Sequence, residues 1–131
     1  MMGLDTNVLV RYIMQDDAKQ AAKATKLIES LSPDAPGFVT LVSVIELVWV
    51  LSSCFDLTRE QIAQALNALL RAKQLVVDQA DQVVRALRTY SSSSADFADC
   101  LIERTASSAG CAKTMTFDVA ASKQAGMTLI Q

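Results

Sequence analysis

Short apolar segments alternate along this chain with longer stretches in which apolar residues recur at helical spacing. The short segments predict strands at residues 3–4, 38–40, 75–77, 113–117 and 128–130. The longer stretches predict helices at residues 8–14, 16–28, 42–53, 58–73, 80–90, 95–108 and 119–125, and Thr58 with Gln61 forms a capping-box pattern. This alternation predicts an α/β fold, a single three-layer domain over residues 1–131 with a central parallel sheet of four to five strands flanked by helices.

Two aspartates stand directly after predicted strands. Asp5 follows the first strand and Asp118 follows the fourth. The carboxyl ends of parallel strands form the crevice in which such folds bind their ligands. Either residue is also explained as a plain helix N-cap, but together they predict an acidic site at this edge of the sheet.

Glu46 interrupts the apolar stretch of residues 44–51. Its neighbours on the same helix face include Val42 and Trp49, and none of them is basic. A carboxylate in apolar surroundings is costly unless it is paired or bound to metal, so we expect a functional role. The alternative is a helix edge from which the carboxylate reaches water.

Three further acids, Asp96, Asp99 and Glu103, follow one another at helical spacings of three and four residues. Like charges at these spacings repel each other. Asp96 is explained by the dipole at the start of a helix, whereas Asp99 is expected deeper in that helix. Glu103 is expected to be a solvated surface residue.

The composition excludes several kinds of chemistry. The chain has no histidine, which removes Ser-His and Cys-His catalysis. Cys54, Cys100 and Cys111 lack the paired spacing of a zinc site, and we expect buried, reduced thiols. Hydrolytic chemistry would therefore rest on carboxylates, hydroxyls, lysine or bound metal.

Charge and hydropathy bear on location and partners. The net charge of −2 is not typical of a non-specific nucleic-acid binder, although bound cations and a basic rim can still guide such a substrate. No apolar run reaches the roughly 18 residues that span a bilayer. The first residues also lack the features of a signal peptide. We expect a cytoplasmic protein with no membrane segment.

Four carboxylates in one crevice would repel strongly without a cation. Asp5, Glu46, Asp99 and Asp118 offer hard oxygen ligands, which suit Mg²⁺ or Mn²⁺. One or two ions of this kind can activate a water and stabilise the leaving oxygen in phosphodiester hydrolysis. Hydroxyl and amide groups that could support the site are those of Thr6, Asn7, Ser43 and Thr116.

Four segments resemble, in order, the acidic motifs of PIN-domain proteins, and most closely those of VapC-type toxins. The segments are residues 3–12, 42–51, 95–102 and 114–118. By motif match, the resemblance implies that Asp5, Glu46, Asp99 and Asp118 are catalytic and metal-binding, with Asp96 as a further candidate ligand. The third acidic position fits Asp99 better than Asp96.

The resemblance also implies an activity and partners. The implied activity is that of a metal-dependent endoribonuclease that cleaves RNA. The implied partners are a second copy of the chain, in a homodimer, and a small DNA-binding antitoxin whose tail blocks the acidic pocket. The chain departs from its relatives after Asp118, where Val119 stands in place of a frequent basic residue. Two explanations stay open: Lys123 on the same helix substitutes for it, or a phosphate contact is missing.

Two alternatives remain open at this stage. A receiver-like signalling domain would also have strand-end acids, with Asp78 as its phosphorylation site. A PIN-fold binding module without turnover would keep all four acids. The first alternative leaves Glu46 without a role.

Overall fold

The computed structural model describes all 131 residues, which form two compact units, residues 1–78 and 79–131. The elements of the first unit are β1 (Met2–Gly3), α1 (Thr6–Met14), α2 (Ala18–Glu29), β2 (Gly37–Val39), α3 (Leu41–Ser53), α4 (Arg59–Arg71) and β3 (Leu75–Val77). Those of the second are α5 (Ala80–Ser92), α6 (Phe97–Ser108), β4 (Met115–Thr116), α7 (Val119–Gln124) and β5 (Thr128–Leu129). That the two units together act as a single domain over residues 1–131 stays a prediction.

All five strands pair in parallel, which confirms the predicted α/β class. β1, β2 and β3 form a three-stranded sheet in that order, and β4 pairs with β5 in the second unit. The strands are two or three residues long, shorter than several of the predicted segments. Every predicted helix and strand is present, with ends that shift by a few residues.

The strand order bears directly on the receiver alternative. In the doubly wound order of receiver domains, the first strand lies between the second and the third. Here β2 lies in the middle, with Phe38 in register with both Gly3 and Val76. The receiver interpretation, with Asp78 as phosphoacceptor, is therefore wrong.

Local sequence signals explain several helix starts in the first unit. The capping box at Thr58 and Gln61 is confirmed, with both reciprocal hydrogen bonds formed. Asp17 caps α2 by accepting the Gln20 N–H at 3.0 Å. These caps satisfy amide groups that the first turn of a helix leaves without partners.

The middle strand of the first unit is closely packed. A Cβ atom at Gly37 would lie 2.8 Å from a methyl carbon of Leu31 and of Leu4, so no larger side chain fits without movement. The core of this unit contains fully buried side chains from its helices and β2, among them Leu9, Ile28, Val39, Leu47, Leu51, Ile62 and Leu66.

The second unit is centred on the packing of α5 against α6, which are joined by a four-residue connection. Tyr90 near the end of α5 and Phe97 at the start of α6 meet edge to face, with ring centroids 5.8 Å apart. Phe97 is fully buried. Aromatic pairs in this geometry stabilise a core beyond the area that they bury.

The cysteines differ in exposure. Cys100 is buried in α6, whereas Cys54 and Cys111 are exposed, so the expectation of buried thiols is wrong for two of the three. All three are free thiols. None of the seven helices is both long and apolar enough to cross a membrane.

Candidate functional site

Asp5 combines a structural role with an available carboxylate. The Leu4 N–H donates to the Phe38 carbonyl at 2.9 Å, so Asp5 comes directly after the last paired residue of the first strand. Its Oδ1 accepts the Thr6 N–H at 2.9 Å and caps α1. The residue is exposed, and the cap uses one carboxylate oxygen. The N-cap and the functional interpretations are therefore compatible at Asp5.

A hydrogen bond joins the first two acidic motifs. The Thr6 hydroxyl donates to Glu46 Oε1 at 2.7 Å, across forty residues of sequence. Thr6 is almost fully buried, so its side chain is held in place by its surroundings. This contact brings the carboxylates of Asp5 and Glu46 to neighbouring positions on one side of the first unit and fixes the direction of the Glu46 side chain.

Glu46 does not lie in the buried apolar surroundings that its sequence position suggests. Glu46 is exposed, and so are its apolar neighbours Val42 and Trp49, at 67% and 63%. The apolar surroundings inferred from the sequence belong to an exposed face of α3, on which Ile45 also lies. The reason to assign a role to Glu46 is now its link to Thr6 beside Asp5.

We expect Thr6→Val to lower any catalytic activity of this site about tenfold, because it removes the hydroxyl that orients Glu46 while keeping the shape of the side chain. Thr6→Ser retains the hydroxyl and is the matched control, with activity within a few fold of the wild type. Initial cleavage rates of the three proteins, measured at equal concentration of folded protein, check this. Equal rates for Thr6→Val and the wild type would show that the contact is only structural.

Asp118 repeats the arrangement of Asp5 in the second unit. It follows β4, and its Oδ1 accepts the Ala121 N–H at 3.1 Å to cap α7. Its own N–H donates to the Thr116 hydroxyl at 2.9 Å, which fixes the backbone at this turn. Thr116 therefore supports Asp118 through the main chain.

Asp96 and Asp99 both lie at the start of α6. α6 begins at Phe97, so Asp96 is its N-cap residue and Asp99 lies in the first turn, where both benefit from the helix dipole. Asp96 makes no capping hydrogen bond with its side chain. Asp99 thus lies deeper in the helix than Asp96, as the sequence predicts, although still within the first turn.

The carboxylates of the second unit influence one another. Burial raises the pKa of the Asp99 carboxyl above its ordinary value, and the negative charges of Asp96 and Asp118 raise it further. Asp99 is thus a half-buried acid with two other carboxylates near it. A cation bound at this point would relieve that repulsion, which supports Asp99 over Asp96 as the principal third acid.

Glu103 is not the solvated residue that its sequence position suggested. Its side chain is largely buried, and Oε1 accepts a hydrogen bond from Arg104 Nε at 2.6 Å. The carboxylate also lies close to the turn at Gly126, which has a positive φ of 78°. Glu103 is engaged in a local ion pair and is a poor candidate for metal binding.

The remaining predicted supporting residues have simpler roles. Ser43 is buried and participates in the cap of α3, where its N–H and its hydroxyl oxygen both contact the Thr40 hydroxyl. Asn7 is exposed on the first turn of α1. Neither side chain forms a hydrogen bond with a predicted catalytic acid. Their assignment as supporting residues stays a prediction.

The candidate ligands share the donor chemistry of a divalent-cation site. All candidate ligands are carboxylates, the hard oxygen donors that Mg²⁺ and Mn²⁺ prefer. No three acidic or cysteine side chains lie close enough together to hold a metal ion in their present positions. The carboxylate chemistry of the donors, and the burial of Asp99 beside the charges of Asp96 and Asp118, fit a hard divalent cation.

Phe117 is a candidate functional residue that the sequence does not single out. The sequence places it at the end of the predicted strand at residues 113–117, whereas in the structure it is 81% exposed, immediately before Asp118. The sequence feature that could have indicated it is an aromatic residue directly before the acid that follows the strand.

Comparison with known proteins gives one match. The family model described as PIN domain matches residues 2–126, which include all four acidic motifs and parts of both units. Neither the curated proteins nor the solved structures returned a match.

Proposed function

Because the chain belongs to the PIN-domain family, whose members are generally nucleases, we propose that it is a metal-dependent endoribonuclease. The observation that carries this proposal is the hydrogen bond from Thr6 to Glu46 beside Asp5, because it links the first two acidic motifs in space. The proposed reaction is hydrolysis of an RNA phosphodiester bond.

The proposal assigns the metal-holding role to Asp5, Glu46, Asp99 and Asp118, with Asp96 as an additional candidate. Bound Mg²⁺ or Mn²⁺, as one or two ions, would acidify a water molecule and neutralise charge on the phosphate. The chain's own contribution is to orient these ligands. The Thr6 hydroxyl orients the Glu46 side chain, and the capping hydrogen bonds orient the carboxylates of Asp5 and Asp118.

Basic side chains on α5 support a nucleic-acid substrate. Arg85 and Arg88 lie one helical turn apart and are exposed, and neither forms an ion pair. Together with Asp81 and Val84 they line a shallow depression of about 300 Å³. Guanidinium groups bind phosphate through paired N–H donors. The two arginines would therefore give the RNA backbone a local positive surface on a chain whose net charge is negative.

We expect the purified protein to cut a single-stranded RNA at internal positions in Mg²⁺ or Mn²⁺, and cleavage to stop when excess EDTA removes the metal. The reason is that carboxylates carry negative charge, so without a bound cation the site cannot neutralise the negative charge of the phosphate. Gel analysis of an end-labelled RNA, with a DNA strand of the same sequence as the control, checks this. Binding of RNA without cleavage in either metal would instead indicate a catalytically silent binding module.

The proposal extends to a toxin of a bacterial toxin–antitoxin pair, acting in the cytoplasm. The exposed apolar side chains of Val42, Ile45 and Trp49 on α3 support a protein partner, since such contiguous surface is usually covered. The proposed partners are a small DNA-binding antitoxin and a second copy of the chain. A short open reading frame just upstream would support the first, and light scattering that gives only the monomer mass would contradict the second.

A further inference from the structure

Phe117 is the most exposed residue among the large apolar side chains of the chain, at 81%. A phenylalanine that is buried contributes to stability, and one that faces water contributes nothing through burial. Phe117 thus has no role in the core of the second unit. Its position immediately before Asp118 invites a role in binding.

The backbone on both sides of Phe117 is fixed. On one side, the Ile130 N–H donates to the Thr116 carbonyl at 2.8 Å, and Thr116 is paired with Leu129 in the sheet. On the other side, the Asp118 N–H donates to the Thr116 hydroxyl, and Asp118 caps α7. The backbone of Phe117 is therefore held at a well-defined turn, one residue before Asp118.

We propose that the Phe117 ring is a stacking platform for one unpaired base of the RNA strand that is cut. This inference rests on the proposed nuclease function and adds a subsite to it. Single-stranded RNA is commonly bound by stacking its splayed bases on aromatic side chains. A ring next to a catalytic acid would position the nucleotide beside the bond that is cleaved.

Stacking also suits the charge of this chain. The attraction between a base and an aromatic ring does not require a basic surface, and every base offers a π-face. The subsite would thus supply affinity that the net charge of −2 does not. It would tolerate different base sequences, because stacking makes no hydrogen bonds to the base edges.

A protein partner that covers the apolar surface around Phe117 is the competing explanation. Val119 and Met115 are each about half exposed, at 52% and 51%, and would belong to such a contact. The two explanations differ in what they require of residue 117. Stacking requires a flat ring, whereas a protein contact of this kind accepts an aliphatic side chain of similar size.

The test compares Phe117→Leu, Phe117→Tyr and the apolar control Val119→Ala, each combined with Asp5→Asn to prevent cleavage. Affinity for a fluorescent single-stranded RNA in Mg²⁺ is measured by anisotropy. We expect Phe117→Leu to weaken binding about 5- to 100-fold, and Phe117→Tyr and Val119→Ala to stay within about twofold. The measurement is repeated with a set of RNAs, each of which lacks the base at one position. For the RNA that lacks the stacked base, Phe117→Leu should cause no further loss of affinity.

The outcomes separate the inference from the function on which it rests. If the wild-type protein cuts RNA but Phe117→Leu binds as tightly as its parent, the stacking inference fails and the nuclease proposal stands. Equal losses in Phe117→Leu and Val119→Ala, or in Phe117→Leu and Phe117→Tyr, would also overturn stacking. A wild-type protein that neither binds nor cuts RNA would overturn both.

Discussion

Replacing Asp5 by Asn is expected to lower metal-dependent RNA cleavage by at least about 100-fold while leaving the fold intact. Loss of groups that merely support a metal ligand typically costs 10- to 100-fold, and Asp5 is proposed to be a direct ligand. The neutral amide is a weak metal ligand, so the substitution removes charge where the cation is proposed to bind. The amide oxygen can still accept the Thr6 N–H, and Asn caps helices about as well as Asp.

Asp17→Asn is the matched control for this experiment. Asp17 is also an exposed aspartate that caps a helix, by accepting the Gln20 N–H, but it lies outside the four acidic motifs. Both variants should unfold within about 0.5 kcal/mol of the wild type in urea. Cleavage by Asp5→Asn equal to that of Asp17→Asn would sink the proposed mechanism.

The substitution Phe97→Ala is expected to reduce the free energy of unfolding by about 3–5 kcal/mol, because it empties a fully buried position. The ring also loses its edge-to-face contact with Tyr90, which joins the end of α5 to the start of α6. A change of this size is a large fraction of the 5–15 kcal/mol that stabilises a typical protein. The urea midpoint, followed by circular dichroism, is the measurement.

Phe117→Ala provides the same chemical change at an exposed position of the same unit. It should alter the free energy of unfolding by no more than about 0.5 kcal/mol. The contrast between the two variants therefore isolates the effect of burial. A loss below about 1 kcal/mol in Phe97→Ala would contradict the packing described for α5 and α6.

The periodic pattern of the sequence predicted the elements well because each depends on local chemistry. The Thr58–Gln61 capping box and the apolar strand Leu75–Val77 are short-range signals, and both were found where the sequence placed them. Asp5 and Asp118 were likewise located from their positions after strands. Their capping hydrogen bonds are formed with the next few residues, which the sequence already displays.

The misjudged residues depend on contacts that the sequence does not display. Helical spacing identifies the neighbours of Glu46 on its own helix, but not whether another element covers them, and none buries Val42 or Trp49. The hydrogen bond from Thr6 to Glu46 spans forty residues and has no local signature. Glu103 was misplaced for the same reason, because its burial is set by tertiary packing.

The uneven exposure of the cysteines has a practical consequence for following this protein in solution. The first unit carries one accessible thiol, at Cys54, and the second carries one, at Cys111, while Cys100 is shielded. A donor and an acceptor dye attached to these two sulfur atoms would form an energy-transfer pair without any added cysteine. Fluorescence of this pair would report on the separation of the two labelled sites, with and without the proposed metal and RNA, in the unmodified sequence.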